Sequence, residues 1–294
     1  LTPWEDRKLG SEFSTGSRYG DIYGLVTDRL FQKEDFVYGE DGKIEKVTVV
    51  YNGTARETNK QSSKYTVYQE HYEDGNKIVF APGDVKFVDL DGDGYITPGT
   101  GTNGDPGDVT VIGNTTPRYE YSFRLGADYK GIDFSIFFQG IGKRQIWGSG
   151  QLAIPGFNAK EGAMPKTFTT YYWTEENTDA FSPRAWDLGG NDTGFSMQKQ
   201  SRYLLDMSYL RIKNITLGYS VPRNLLSKVY LTKARIYMSL ENFFTFDNLD
   251  GLPIDPEAVS GYSMFRTDER YNLGRTGTGT PVFKSISCGI QLTF

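Results

Sequence analysis

From Phe283 the chain reads FKSISCGIQLTF, in which Ile286, Cys288, Ile290, Leu292 and Phe294 alternate with Ser287, Gly289, Gln291 and Thr293. A period of two held over this stretch predicts a strand with one apolar and one polar face. Residues 118–138 predict a hairpin of the same kind. Tyr119, Tyr121, Phe123, Leu125, Ala127 and Tyr129 share one face, and Ile132, Phe134, Ile136 and Phe138 continue it after a turn at Lys130-Gly131. Glu120, Arg124, Asp128 and Asp133 fall on the other face, and Phe137 alone breaks the alternation.

Two more strands are expected at 209–221 and 234–242. In the first, Leu210 and Ile212 are out of phase with Ile215, Leu217, Tyr219 and Val221, which predicts a bulge near Lys213-Asn214. In the second, Ala234, Ile236, Met238 and Leu240 oppose Arg235, Tyr237, Ser239 and Glu241. The connection from Pro222 to Thr232 is short, with one helical turn expected over Asn224–Ser227. By contrast, 142–207 and 247–281 are long, rich in Gly and polar residues, and without sustained periodicity. Connections of that length are uncommon in compact domains unless they carry function. Segments 43–51, 63–72 and 76–88 are weaker strand candidates. The expected total is roughly seven to ten strands of ~10 residues.

Short turns alternating with long loops, on strands with one apolar face, match a membrane β-barrel: short on the periplasmic side, long outside. Composition agrees. Aromatics reach 15%, with 20 Tyr and 19 Phe, although hydrophobic residues are only 37%. Lipid-facing aromatics diluted by polar lumen residues give that combination. No stretch approaches the ~18 to 20 consecutive apolar residues of a membrane helix. The single cysteine excludes an internal disulfide framework and a Cys-rich metal site. A net charge of −5 offers no basic footprint for nucleic acid.

One motif is chemically sharp. In DLDGDGYIT, residues 89–97, Asp89, Asp91 and Asp93 stand at positions 1, 3 and 5 of an EF-hand-like loop. Gly94 allows the sharp turn at position 6, and the Tyr95 carbonyl fills position 7. Position 12, normally a bidentate acid, is Thr100, and the next aligned acid is Asp108, beyond an apparent insertion. A structural Ca2+ ion held by Asp89, Asp91, Asp93, Tyr95 and Asp108 is one reading. An Asx- and Gly-rich turn is the other.

Trp147, Tyr171, Tyr172, Trp173 and Trp186 cluster in the long 142–207 segment. They are candidates for contacting a substrate or a partner, since loop aromatics stack on sugars and anchor interfaces, or for packing the loop on itself. His71 is the only histidine, so Ser-His-Asp triads and zinc sites lack parts. Gly99–Gly104 fits G-x-G-x-x-G, yet no helix pattern follows it. No catalytic site is expected.

Six segments in order resemble the C-terminal barrel region of SusC/RagA-type TonB-dependent importers of Bacteroidota. They are residues 20–33 (GDIYGLVTDRLFQK), 82–97 (PGDVKFVDLDGDGYIT), 111–140 (VIGNTTPRYEYSFRLGADYKGIDFSIFFQG), 172–184 (YWTEENTDAFSPR), 208–222 (SYLRIKNITLGYSVP) and 235–246 (RIYMSLENFFTF). A strand ending in a terminal Phe also resembles the assembly signal of outer-membrane barrels. The resemblance implies an all-β fold, an antiparallel transmembrane β-barrel in the bacterial outer membrane, with residues 1–294 as its C-terminal portion. It further implies import of glycans or oligopeptides with a SusD-like surface lipoprotein, driven by TonB through a plug and contact segment N-terminal to this region. Against the ~22 strands of plugged transporters, the chain would supply less than half of the wall, as expected of a truncated protein. The rivals are a secreted, calcium-stabilised all-β carbohydrate-binding module or adhesin, and a β-rich glycoside hydrolase.

Overall fold

The computed structural model describes residues 5–10, 16–51, 54–58, 81–148, 166, 172–184, 198–226, 230–257 and 282–294. Thirteen strands appear among them, in chain order. They are β1 (Asp21–Leu25), β2 (Thr27–Leu30), β3 (Phe36–Tyr38), β4 (Ile44–Tyr51), β5 (Thr54–Thr58), β6 (Val85–Asp89), β7 (Val109–Asn114), β8 (Tyr119–Tyr129), β9 (Ile132–Gly142), β10 (Gln145–Trp147), β11 (Leu204–Ser220), β12 (Lys233–Asn248) and β13 (Ser285–Thr293). A single helical turn, α1 (Arg223–Leu226), lies between β11 and β12.

Five of these strands form one antiparallel sheet in the order β13-β12-β11-β9-β8, with β10 added on the upper part of β11. This is the wall. Its register joins the apolar positions of neighbouring strands: Phe123↔Phe138↔Ile212↔Phe244 form one row and Leu125↔Ile136↔Ile215↔Leu240↔Ile286 another. Phe123 and Phe138 stack, with ring centroids 4.4 Å apart. On this face Phe123, Phe134, Leu217, Ile236 and Ile290 are exposed. An exposed apolar surface running across five strands marks contact with a partner or a membrane. The opposite face carries Arg124, Asp133, Arg235 and Gln291.

The out-of-phase positions resolve as expected. Between two matched apolar rows β9 uses two positions (136 to 138), β11 three (212 to 215) and β12 four (240 to 244). Each strand therefore bulges by one residue against the preceding one, and Asn242 takes φ 56° where β12 does so. The bulges keep Leu210 and Ile212 on the apolar face and Arg211 on the polar one. Phe137, the exception in β9, lies on the polar face, where the Arg124 guanidinium sits 5.4 Å from its ring centroid.

At one end of the wall the connections are short. Lys130 and Gly131 both have positive φ and make a two-residue hairpin turn, and the twelve-residue connection 221–232 holds α1. At the other end run 143–203 and 249–284. Strands β11 and β12, at 17 and 16 residues, exceed the ~9–11 residues that cross a bilayer, and their surplus lies at the long-connection end.

The upstream segments differ from the expectation of further ten-residue wall strands. They are short and form sheets of their own: β1 with β7, and β2-β6-β4-β3 with β5 on β4. Only β4 with β6 is parallel. The physical reason is a core of their own. Leu25, Leu30, Val85, Phe87 and Ile96 make a core closed by Trp173, Ala180 and Tyr203; β6 is buried along most of its length, while β2, β3 and β4 keep exposed positions such as Asp28, Arg29, Tyr38 and Lys46. Candidate 43–51 is β4, whereas 63–72 lies outside the described residues. Because β7 runs into β8 after four residues, this core sits over the long-connection end of the wall.

The core also holds an ion pair. Lys86, 1% exposed, donates to Asp35, 5% exposed, at 2.8 Å, and Arg29 donates to the same carboxylate. Burial alone would raise the Asp35 carboxyl. Hydrogen bonds from Arg29, the Gln32 N–H and Lys86 outweigh it and hold the group below its ordinary range. A carboxyl depressed on folding contributes stability that is present above its unfolded pKa, about 4, and is lost as pH falls through its lower folded value. Asp35→Asn should leave Lys86 buried and unpaired and destabilise this region by about 3–5 kcal/mol. Equilibrium unfolding of the two proteins should also show a weaker acid dependence in the variant.

Candidate metal centre and rim

Asp89 closes β6 and Asp108 directly precedes β7, so the segment between them must return to its own start. It does so at two glycines. A Cβ on Gly107 would lie 2.4 Å from the Gly99 nitrogen and 2.5 Å from the Thr97 carbonyl, a passage only glycine permits. Ile96, fully buried in the core, anchors the turn. The Asp108 carboxylate then accepts the Leu90 N–H and, at 2.8 Å, the Thr97 N–H. Asp89 accepts the N–H groups of Gly92 (2.6 Å) and Gly94 (3.0 Å), both glycines having positive φ.

This folding brings carboxylate oxygens of Asp89, Asp91 and Asp108 within 4.8 Å of one another, although Asp108 is remote in sequence. Asp93 is not part of this trio; its carboxylate accepts the Tyr95 N–H at 2.8 Å. Thr100, at position 12, bonds to Asp105 and not to the acidic group. Asp89 and Asp108 have no solvent exposure. Burial, and then the charges of Asp91 and Asp89, push the Asp108 carboxyl up to about 7 against two backbone hydrogen bonds that oppose the shift. Burial likewise raises Asp91. The donor set is hard and anionic, which suits a divalent cation of the calcium type.

The aromatic candidates separate. Trp173 is buried in the upper core with its ring against Gly83 (φ 92°). Its segment is clamped there by a bidentate Arg184–Asp84 pair, both bonds 2.9 Å, and by the Arg184 N–H on the Gly83 carbonyl. Trp147 is half-buried between this core and a second one made of Ile146, Leu205, Met207, Leu249 and Ile254. Tyr172 is exposed. Tyr171 and Trp186 lie outside the described residues, as does His71.

A polar network at the rim has no local signature in the sequence. On the polar face of β11, Arg211, 4% exposed, binds Asp255 at 2.7 Å and Glu257 at 2.9 Å. Lys213 and the Tyr209 hydroxyl also reach Glu257, and Asp255 accepts the Val282 N–H. The long connection after β12 is thereby tied down on both of its described stems. The partners are more than 40 residues apart, so no spacing could have announced them. Lower on the same face, Arg235 reaches over Gly218 to Asp133. A Cβ on Gly218 would lie 2.4 Å from that carboxylate.

No protein-family model matches the chain. Among curated proteins it is 30% identical over 217 residues to TonB-dependent receptor P3 of Formosa agariphila, covering 72% of this chain and 19% of that protein. It is 27% identical over 223 residues to TonB-dependent receptor P26 of the same organism, covering 72% and 20%. The chain thus spans about a fifth of the length of the curated relatives it matches. Among solved structures, the RagAB peptide importer in its open-open state aligns over 93% of this chain and 22% of that one, with a TM-score of 0.51 at 20% identity. A second structure of the RagAB peptide transporter gives 0.51 at 19% identity. The first pair of matches gives the chain homologues that are TonB-dependent receptors, proteins of the bacterial outer membrane, and the second pair shows the fold alone.

Proposed function

We propose that the chain forms part of the wall and extracellular rim of a TonB-dependent importer, taking in glycans or oligopeptides together with a SusD-like surface lipoprotein. One observation carries this reading: a single sheet with an unbroken apolar face outside, charged residues inside, short turns at one end and a folded superstructure at the other. Lipid fits the outer face and an aqueous lumen the inner one. A secreted binding module would have to leave the same apolar face in water. Transport in this reading needs no covalent chemistry. Substrate binds in the lumen beneath the lid protein, and TonB acts through a plug that belongs to the rest of the receptor.

The register gives a direct test in the full-length receptor. Ile286, 64% exposed, pairs with Leu240 on the outer face midway along the wall, while Ser287 pairs with Ser239 on the inner face. Arginine at a lipid-facing midplane position costs about 2–4 kcal/mol. Ile286→Arg should reduce the heat-resistant, folded band in outer-membrane fractions, and Ser287→Arg should leave it unchanged. Equal tolerance would overturn the lipid assignment.

The lipoprotein is testable from the superstructure. A photoreactive residue at the exposed Tyr172 should capture a surface lipoprotein in intact cells. Capture of periplasmic proteins alone would reverse the topology.

The acidic turn is read as a structural Ca2+ site at Asp89, Asp91 and Asp108, with Asp93 and the Tyr95 carbonyl in the same loop. Its role would be to brace the passage from β6 to β7 above the wall, remote from substrate. At a hundredfold excess over Kd, an ion that binds only the folded form adds about 2.7 kcal/mol. Chelator-treated receptor should therefore melt at higher temperature when calcium is added, and Asp108→Asn should lose that response. An unchanged melting curve would decide for the plain turn.

A further inference from the structure

The outer face is not uniformly convex. Where the apolar band meets the long-connection end, β9, β11 and β12 leave a notch of about 320 Å3. It is lined by Ile141 and Gly142 at the end of β9, by Lys143 just beyond it and by Ser208–Leu210 on β11, the two strands being paired through Tyr209↔Ile141 and Leu210↔Gly140. The notch exists because the outward side chains there are small: Gly140 and Gly142 on β9, and Ser208 on β11. The Tyr121 ring lies flat across Gly140, where a Cβ would come within 2.4 Å of it, and forms one wall. Phe246, 60% exposed, forms the other.

The upper lip is polar. Asn248 donates to the Ser208 hydroxyl at 2.7 Å. Lys143, exposed and held at φ 53°, stands over the notch. The exposed Arg118 is adjacent, its N–H donating to the Lys143 carbonyl. Neither cation meets an acid among the described residues. Asp206 and Asp247 at the same strand ends accept main-chain N–H groups, of Ser208 and Leu249.

We propose that this notch is a lipid-binding site that seats one acyl segment of a phosphorylated outer-leaflet glycolipid, with Lys143, assisted by Arg118, on its phosphate. Three features converge: the aromatic walls of Tyr121 and Phe246 face hydrocarbon, the two cations, without an acid partner among the described residues, stand on the headgroup side, and the volume takes a chain segment but not a whole lipid. Cations at that level gain from an anionic headgroup and not from a zwitterionic one. The site rests on the outer-membrane reading above and adds a specific lipid to it.

The experiment uses the full-length receptor in phosphatidylcholine nanodiscs doped with lipid A or with lipid A stripped of its phosphates, and counts retained lipid by native mass spectrometry. The phosphorylated form should be retained in preference. Lys143→Gly, which suits the positive φ, should lower that retention about fivefold, the size expected for one cation at a charged membrane surface. Ser208→Trp, filling the notch, should displace both lipids. Equal retention of the two lipids, no change in Lys143→Gly, or full retention in Ser208→Trp would each overturn the site. Heat-modifiable migration is read alongside. Loss of insertion by the unaltered receptor would count against the barrel reading, whereas normal insertion with unselective lipid counts against the notch alone.

Discussion

A strand inside hydrocarbon has no water to satisfy its N–H and C=O groups, so every one must go to a neighbouring strand. That constraint governs the wall. It forces β8, β9, β11, β12 and β13 into one continuous antiparallel ladder and fixes which residues face outward. A slip of one residue anywhere would carry a whole strand's apolar set to the wrong side. The one-residue bulges at Lys213 and Asn242 are compatible with the constraint because they restore phase on the far side of the irregularity. The polar face carries the compensating features: Arg124 on Phe137, and Arg235 crossing Gly218 to Asp133.

The superstructure obeys a different rule. Its strands are short and pack on a small core of their own, and they are held by side chains and not by a long ladder. Lys86–Asp35–Arg29 sits inside one sheet, Arg184–Asp84 pins a distant segment onto it, and Arg211 with Asp255 and Glu257 ties the second long connection to the rim. Such pairs, largely removed from solvent, are poor sources of net stability, yet they are intolerant of losing one partner. Their effect is to set where each connection leaves the wall. That position decides what the rim can hold.

Sequence legibility divides along the same line. The wall strands, the Lys130-Gly131 turn and the bulge near Lys213 were all readable, because period-two alternation survives wherever one face meets lipid. Strand ends were less so: β11 starts at Leu204 and β12 runs to Asn248, well into segments without alternation. The upstream sheets were legible only as weak strands, since strands of three to eight residues are too short to sustain an alternating signal. In the acidic turn the residue types and their spacing were visible, but the return of Asp108 depends on the close passage of Gly99 and Gly107, which no motif encodes. Trp147 and Trp173 looked alike in sequence. Only Gly83, almost a hundred residues upstream, gives Trp173 a place to be buried.

The stepwise bulges have a consequence for exchanging parts between receptors. Above them, inside and outside are counted from a different origin than below, and the offset differs by one from β9 to β11 and again from β11 to β12. The upper wall and the membrane belt are therefore two separately indexed pieces. A graft cut at the same height on all strands keeps its register only if, relative to β9, β11 brings its one extra residue and β12 its two. Moved without it, Arg211 would exchange places with Leu210 and Ile212, and the carboxylates that anchor the long connection would lose their cation to the lipid.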